Sequence, residues 1–195
     1  MTSAPRGPAT ESTTTVVIGS GFSGLAVASE LSRQGVDAIV VDGLDLLDGG
    51  VSGRRAEPTD PGALSERSDI LRLLRHYAST HHLDVRSSTR AVELSLTAAG
   101  TGQQRKWVIH TADGLLLADN IVLTRCAQNQ LRRILLSLGI KIGRDVLTAM
   151  RALGLYWVGA GDLIAPTTRE ILRQAKLVSQ AISARSSTAP LPGPA

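Results

Sequence analysis

The sequence predicts an α/β fold with a small antiparallel β-meander, and three observations carry this prediction. A glycine-rich segment, residues 19–24, lies between an apolar strand pattern and a helical pattern. Short apolar runs then alternate along the chain with stretches of helical periodicity. Finally, three short strand patterns within residues 91–118, with a turn signal at Asp113-Gly114, predict the meander.

The elements can be placed in order from their periodicity and end signals. The first helix ends at Gly35, which is typical of the residue after a helix, and the second begins at Asp60-Pro61, where Pro takes the first helical position. A capping box at Thr167 to Glu170 opens the last helix. Helices are predicted at residues 23–33, 61–78, 131–138 and 167–182, and strands at 15–18, 37–41, 83–86, 91–96, 106–111, 115–117, 120–123 and 155–158.

The glycine-rich segment has the spacing of a dinucleotide-binding turn, so the fold is predicted to be Rossmann-like. Gly19 permits a tight turn after the first strand, Gly21 lets the backbone approach a pyrophosphate, and Gly24 lets helix and strand pack closely. The pyrophosphate then lies at the helix N-terminus beside Phe22 and Ser23, where backbone N–H groups and the helix dipole favour an anion.

An acid at the end of the second strand completes this pattern. Asp42 follows the apolar run 36–41, about 20 residues after the glycines, and can accept hydrogen bonds from the adenosine ribose hydroxyls. Its charge repels a 2′-phosphate, so NADP is a poor candidate for this pocket, whereas FAD and NAD both remain candidates.

Composition and charge exclude several other classes of protein. The chain has 195 residues, enough for one core, which is placed at 15–185 between disordered tails at 1–14 and 186–195. Aromatic residues make up 3% and the net charge is +4, so no nucleic-acid partner is expected. No apolar run approaches the length of about 18 residues that spans a membrane, and no signal peptide is visible.

The cysteine and histidine content favours a cytoplasmic protein without a metal. Cys126 is the single cysteine, which rules out an internal disulfide framework and a C-x-x-C redox pair. His76, His81 and His82 lie near one predicted helix end, but carboxylates or cysteines at a metal-ligand spacing do not accompany them.

The order of these parts resembles two-dinucleotide-binding-domain flavoproteins, especially flavin-containing and Baeyer-Villiger-type monooxygenases. Residues 15–42 look like their N-terminal FAD fingerprint, and Thr89-Arg90-Ala91 is similar to their "T-R-V" turn before the meander. Residues 107–123 resemble their meander and the strand that leaves it, and residues 154–162 resemble their late G-D motif.

The resemblance implies an FAD-dependent oxidoreductase, with NADPH serving as a reductant. It adds Ala91, Gly161 and Asp162 to the cofactor-binding residues, with Asp162 bonded to the flavin ribityl chain or diphosphate. No residue is identified as a catalytic acid or base. A non-catalytic dinucleotide-binding module, a decayed remnant and an NAD-binding protein are the alternatives.

Three departures from the family pattern concern the flavin end and the supply of electrons. The family inserts an NADPH-binding domain between the meander and the G-D motif, whereas about 30 residues separate Leu123 from Leu155 here. Thr124-Arg125-Cys126 replaces Ala-Thr-Gly, and Gly49-Gly50-Val51-Ser52 lacks the family's aromatic residue. A reductase or other partner protein is therefore expected to supply electrons to any active form.

Overall fold

A seven-stranded sheet organises the molecule in the computed structural model, which describes residues 9–44, 61–97, 105–124, 128–140, 143, 145–159 and 166–188. The strands are β1 (Ala9–Ile18), β2 (Ala38–Val41), β3 (Asp84–Arg86), β4 (Ala91–Leu96), β5 (Trp107–Thr111), β6 (Gly114–Thr124) and β7 (Leu155–Val158). The helices are α1 (Phe22–Arg33), α2 (Pro61–Thr80), α3 (Gln128–Ser137), α4 (Val146–Ala152) and α5 (Thr168–Thr188).

The sheet combines a parallel part with an antiparallel meander. Its strand order is β3-β2-β1-β6-β5-β4, and β7 pairs with β6. Strands β3, β2, β1, β6 and β7 pair in parallel, so their carboxyl ends share one edge, whereas β4, β5 and β6 form the meander. The predicted α/β Rossmann-like fold with a small antiparallel meander is confirmed.

Strand β6 joins the two parts of the sheet. Its first half, residues 114–118, pairs antiparallel with β5, and residues 121–124 pair parallel with β7. The sequence predicted two strands here, 115–117 and 120–123, with a break at residues 118–119. The strand is continuous because Asn120 is buried and its Nδ2 donates to the carbonyl oxygen of Thr14, 3.3 Å away on β1.

The ends of the folded region also differ from the prediction. Strand β1 begins at Ala9, because residues 9–13 pair with 114–118 of β6, so the expected N-terminal tail does not extend to Thr14. Helix α5 continues to Thr188, past the predicted domain end at residue 185. The remaining parts of the predicted tails, 1–8 and 189–195, lie outside the described residues.

Apolar cores cover both faces of the sheet, as expected for a Rossmann-like sheet. On one face α1 and α5 pack against the strands, with apolar side chains of α2 beside them. On the other face, side chains of α3, α4 and the meander strands form a second core with the parallel strands, and this core includes the fully buried Trp107. The Trp107 Nε1 donates to the carbonyl oxygen of Leu153 at 2.8 Å, which ties the meander to the segment before β7.

Candidate dinucleotide-binding site

The five parallel strands end at the edge of the sheet where α1 begins. Ile18 of β1 is paired with Val41 of β2 and with Leu123 of β6, and Thr124 is paired with Val158 of β7. In open α/β sheets, ligands bind outside the carboxyl ends of the strands. This edge is therefore the place to examine the predicted site residues.

The turn between β1 and α1 requires glycine at its first position. Gly19 has a φ of +118°, a conformation that side chains rarely adopt, and a Cβ there would overlap with the Oγ1 of Thr124. That hydroxyl donates to the carbonyl oxygen of Ile18 at 2.8 Å, while the Gly19 N–H donates to the carbonyl oxygen of Val41. The end of β6 thus packs directly against the turn between β1 and α1.

Gly24 allows the first turn of α1 to lie against this same segment. A Cβ at Gly24 would overlap with the carbonyl oxygen of Gly19, and Val17 Cγ1 would lie 3.6 Å away. Because the nearest obstacle is backbone, a larger residue would force the helix away from β1. The predicted packing role of Gly24 is consistent with this geometry.

The N-terminus of α1 has neither a side-chain cap nor an acidic residue in its first turn. Gly21 is its N-cap residue. The first helical bond runs from the Leu25 N–H to the Gly21 carbonyl oxygen, at 3.0 Å. The amides of Phe22, Ser23 and Gly24 precede it and have no intrahelical acceptor, so a pyrophosphate fits this end of the helix.

Asp42 lies where the ribose of a bound adenosine is expected. Its side chain is exposed, and the Ser20 hydroxyl donates to its Oδ1 at 2.7 Å. Its N–H donates to the carbonyl oxygen of Thr89, which fixes the backbone at the end of β2. A carboxylate offers about four acceptor positions. The Ser20 hydroxyl occupies one of them and orients the side chain, so the other positions of Asp42 can accept hydrogen bonds from ligand hydroxyls.

The segment that leaves β7 passes the first turn of α1. Gly159 has a φ of +79°, and a Cβ there would lie 2.9 Å from the Ser23 Oγ. The Gly159 N–H donates to the Gln174 Oε1 at 2.9 Å, which joins this segment to α5. The predicted Gly161 and Asp162 lie just beyond, outside the described residues.

Ala91 is brought to the same edge but uses its amide within the fold. It is completely buried, and its N–H donates to the carbonyl oxygen of Gly43 at 2.8 Å. A parallel bridge between Leu44 and Ala91 continues this pairing, so the segment before the meander lies beside the end of β2. Its predicted cofactor contact stays a prediction.

Sequence reasoning missed two side chains of this edge, Ser20 and Arg90. Ser20 occupies a variable position of the glycine motif, and its bond to Asp42 appears only when β1 and β2 are paired. Arg90 was noted in the turn before the meander, but its position over Gly43 depends on pairing between segments far apart in sequence.

The segments with Gly49-Gly50-Val51-Ser52 and Arg125-Cys126 lie outside the described residues. Within the described part of the chain, no three His, Cys, Asp or Glu side chains form a group suited to a metal ion. Over the same residues, no helix is both long enough and apolar enough to cross a bilayer.

Comparison with known proteins places the chain by fold. No protein-family model and no curated protein sequence matches it. THI4 from Thermovibrio ammonificans is 14% identical over 91% of both chains, with a TM-score of 0.58. Thioredoxin reductase from T. acidophilum is 11% identical, covering 91% of this chain and 100% of that one, with a TM-score of 0.53.

A flavin-containing monooxygenase from Stenotrophomonas maltophilia is 12% identical, covering 90% of this chain and 99% of that one, with a TM-score of 0.53. At these identities the likeness concerns the fold alone. The chain thus has a Rossmann-type fold similar to the folds of these three proteins.

Proposed function

We propose that this chain binds FAD and acts as an oxidoreductase of the flavin monooxygenase type. The observation that carries the proposal is the uncapped N-terminus of α1, which lies between the Gly19 turn and Gly159, with the Asp42 carboxylate exposed at the neighbouring strand end. An anion-binding helix end beside a ribose-binding acid suits an adenosine diphosphate group.

In this proposal each part of the edge has a separate task. Asp42, oriented by Ser20, accepts hydrogen bonds from the adenosine ribose, and the first amides of α1 hold the diphosphate. The proposed place of Asp162 is beside the diphosphate or ribityl chain, which is supported by the approach of Gly159 to Ser23. Bound FAD would supply the redox chemistry, while the protein binds and orients it.

NADPH enters the proposal only as a reductant, because the carboxylate of Asp42 would repel a 2′-phosphate at the proposed site. Between β6 and β7, where the related monooxygenases insert their NADPH-binding domain, the described residues form the helices α3 and α4. We therefore propose that a reductase, another partner protein or free reduced flavin delivers electrons. A cytoplasmic location goes with this proposal.

The same observation favours a second candidate, a dinucleotide-binding module without catalysis. Such a module would keep the helix end and Asp42 but would take no part in electron transfer. An NAD-binding protein could use these same groups, since NAD also carries an unphosphorylated adenosine ribose. Binding measurements separate these candidates.

The deciding experiment begins with the visible spectrum of the purified protein, in which bound flavin is seen directly. Calorimetric titration of the flavin-free protein with FAD, NAD and ADP then compares their affinities. FAD binding that exceeds both NAD and ADP binding supports the proposal, equal binding of FAD and ADP favours the non-catalytic module, and preference for NAD favours the NAD-binding protein.

Asp162→Ala tests the flavin end separately. If Asp162 lies beside the flavin, the variant should lose FAD affinity while ADP affinity stays nearly unchanged. Equal losses for both ligands would show that Asp162 has a structural role instead.

A further inference from the structure

The Arg90 guanidinium lies over the backbone of Gly43, directly after the ribose-binding candidate Asp42. If residue 43 carried a Cβ, the Arg90 Nη2 would be 3.4 Å and Nε 3.9 Å from it. The guanidinium group therefore lies at van der Waals contact distance from the place of a Cβ at residue 43, and a side chain that extends beyond Cβ would press against it. Arg90 is exposed, so this group is part of the molecular surface beside Asp42.

Backbone pairing on both sides of Arg90 fixes this arrangement. The Asp42 N–H donates to the carbonyl oxygen of Thr89, and the Ala91 N–H donates to the carbonyl oxygen of Gly43, each at 2.8 Å. The Thr89 hydroxyl also donates to Asp113 Oδ2 at 2.7 Å, which attaches this segment to the meander turn. Arg90 thus projects from a segment held at both neighbours.

The position of Arg90 suits contact with a base. In a nucleoside the base is attached to C1′, next to the carbon that carries the 2′-hydroxyl, so a ribose bound by Asp42 has its base nearby. A guanidinium group is planar and stacks on aromatic faces, including those of unpaired bases.

We propose that Arg90, seated on Gly43, stacks on the adenine and makes the site selective for adenine over smaller bases. The inference rests on the proposed function, because it takes the ribose to lie on Asp42. It adds a base-recognising residue to a site that the glycine motif and Asp42 define only for ribose and phosphate.

The test compares ADP with UDP, which carry the same ribose and diphosphate but different bases. Calorimetry on the flavin-free full chain would measure both for the wild type, Arg90→Ala and Arg90→Lys. Stacking predicts that Arg90→Ala weakens ADP binding by about tenfold, the scale for losing one base-stacking partner, and UDP binding much less. Arg90→Lys should not restore the ADP affinity, because lysine keeps the positive charge but lacks the planar guanidinium group that stacks on a base.

A second test variant and a control variant complete the experiment. Gly43→Val fills the space under the guanidinium without changing any charge, and it should reduce ADP binding in the same direction. Arg72→Ala removes another exposed arginine, paired with Asp69 on α2, and should leave both affinities unchanged. Thermal unfolding of each variant checks that the fold is intact.

The outcomes separate this inference from the proposed function. Unchanged ADP binding in Arg90→Ala, or equal losses for ADP and UDP with rescue by lysine, would overturn base stacking while nucleotide binding stands. A wild-type protein that binds neither FAD nor ADP would overturn both. A selective loss of ADP affinity, not rescued by lysine, supports the stacking role.

Discussion

Gly21 is the residue at which the turn ends and the proposed anion-binding end of α1 begins. Its φ of −79° is accessible to any residue, so its glycine is not required by backbone strain. We predict that Gly21→Asp folds but loses FAD and ADP binding, because a carboxylate there repels the pyrophosphate at its closest approach to the backbone. Calorimetry on the folded variant measures the loss.

A matched control places the same charge at the other end of α1. Gly35 follows the helix with a φ of +69°, which aspartate tolerates better than most residues, and a Cβ there meets no atom within 4 Å. Gly35→Asp should bind both ligands like the wild type. If Gly21→Asp also retained wild-type binding, the diphosphate would not lie at this helix end.

Asp42 and Ser20 carry a second prediction at the scale of single residues. Asp42→Ala should weaken ADP and FAD binding by about 1.5–3 kcal/mol, the contribution of a hydrogen bond to a charged group. Ser20→Ala, which removes the bond that orients this carboxylate, should weaken both by about 0.5–1.5 kcal/mol. The control is Asp69→Ala, which removes an exposed carboxylate from α2. If Asp42→Ala bound ADP as tightly as this control does, the assignment of Asp42 to the ribose would be contradicted.

Individual residues show how far the sequence predicts this site. Spacing alone assigned tasks to Gly19 and Gly24, because a tight turn and a close helix–strand contact are local requirements. The obstacle at Gly19 is the Thr124 hydroxyl, however, and the position of Arg90 depends on Gly43. Such contacts join distant segments, so they are known only once the sheet is assembled.

At the scale of elements, the meander is anchored through Trp107. Its side chain is fully buried, and its indole N–H is bonded to the carbonyl oxygen of Leu153. We predict that Trp107→Ala lowers the free energy of unfolding by about 3–5 kcal/mol through the cavity it creates. Trp107→Phe should lower the free energy of unfolding by less than Trp107→Ala does. The loss should still exceed the roughly 1 kcal/mol of a neutral hydrogen bond, because the Leu153 carbonyl oxygen is also left unpaired.

Urea unfolding followed by circular dichroism measures both variants. Leu73→Ala serves as the control, since that side chain is 66% exposed and its loss should change the free energy of unfolding by at most about 0.5 kcal/mol. If Trp107→Ala were as stable as this control, the meander would not depend on the tryptophan.

Elements with a clear apolar pattern were predicted, whereas those that depend on tertiary pairing were not. The first half of β1 is exposed and polar, and it becomes a strand because it pairs with β6. The short helix α4 was missed because only Met150 among its seven residues is buried, which leaves little periodicity to detect. Continuous β6 was predicted as two strands, 115–117 and 120–123, because the polar Asp119 interrupts the apolar pattern between them.

At the scale of the whole molecule, the candidate site is a property of the assembled sheet. Its parts come from the β1–α1 turn, the end of β2, the segment before β4, and the ends of β6 and β7. A ligand that binds only this assembled edge stabilises the entire fold by mass action. FAD or ADP should therefore raise the unfolding temperature as well as give a calorimetric signal.

The last prediction concerns the source of electrons for the whole molecule. We predict that the FAD-loaded chain alone is reduced only slowly by NADPH, because hydride transfer needs the nicotinamide about 3–3.5 Å from the flavin. The carboxylate of Asp42 would repel the 2′-phosphate of NADPH at the proposed site, and the described residues between β6 and β7 include the helices α3 and α4. Anaerobic stopped-flow mixing with NADPH measures the rate, and reduction by dithionite shows that the bound flavin is accessible to electrons. Rapid, saturable bleaching by NADPH would contradict the prediction, since the chain would then position both cofactors without a partner.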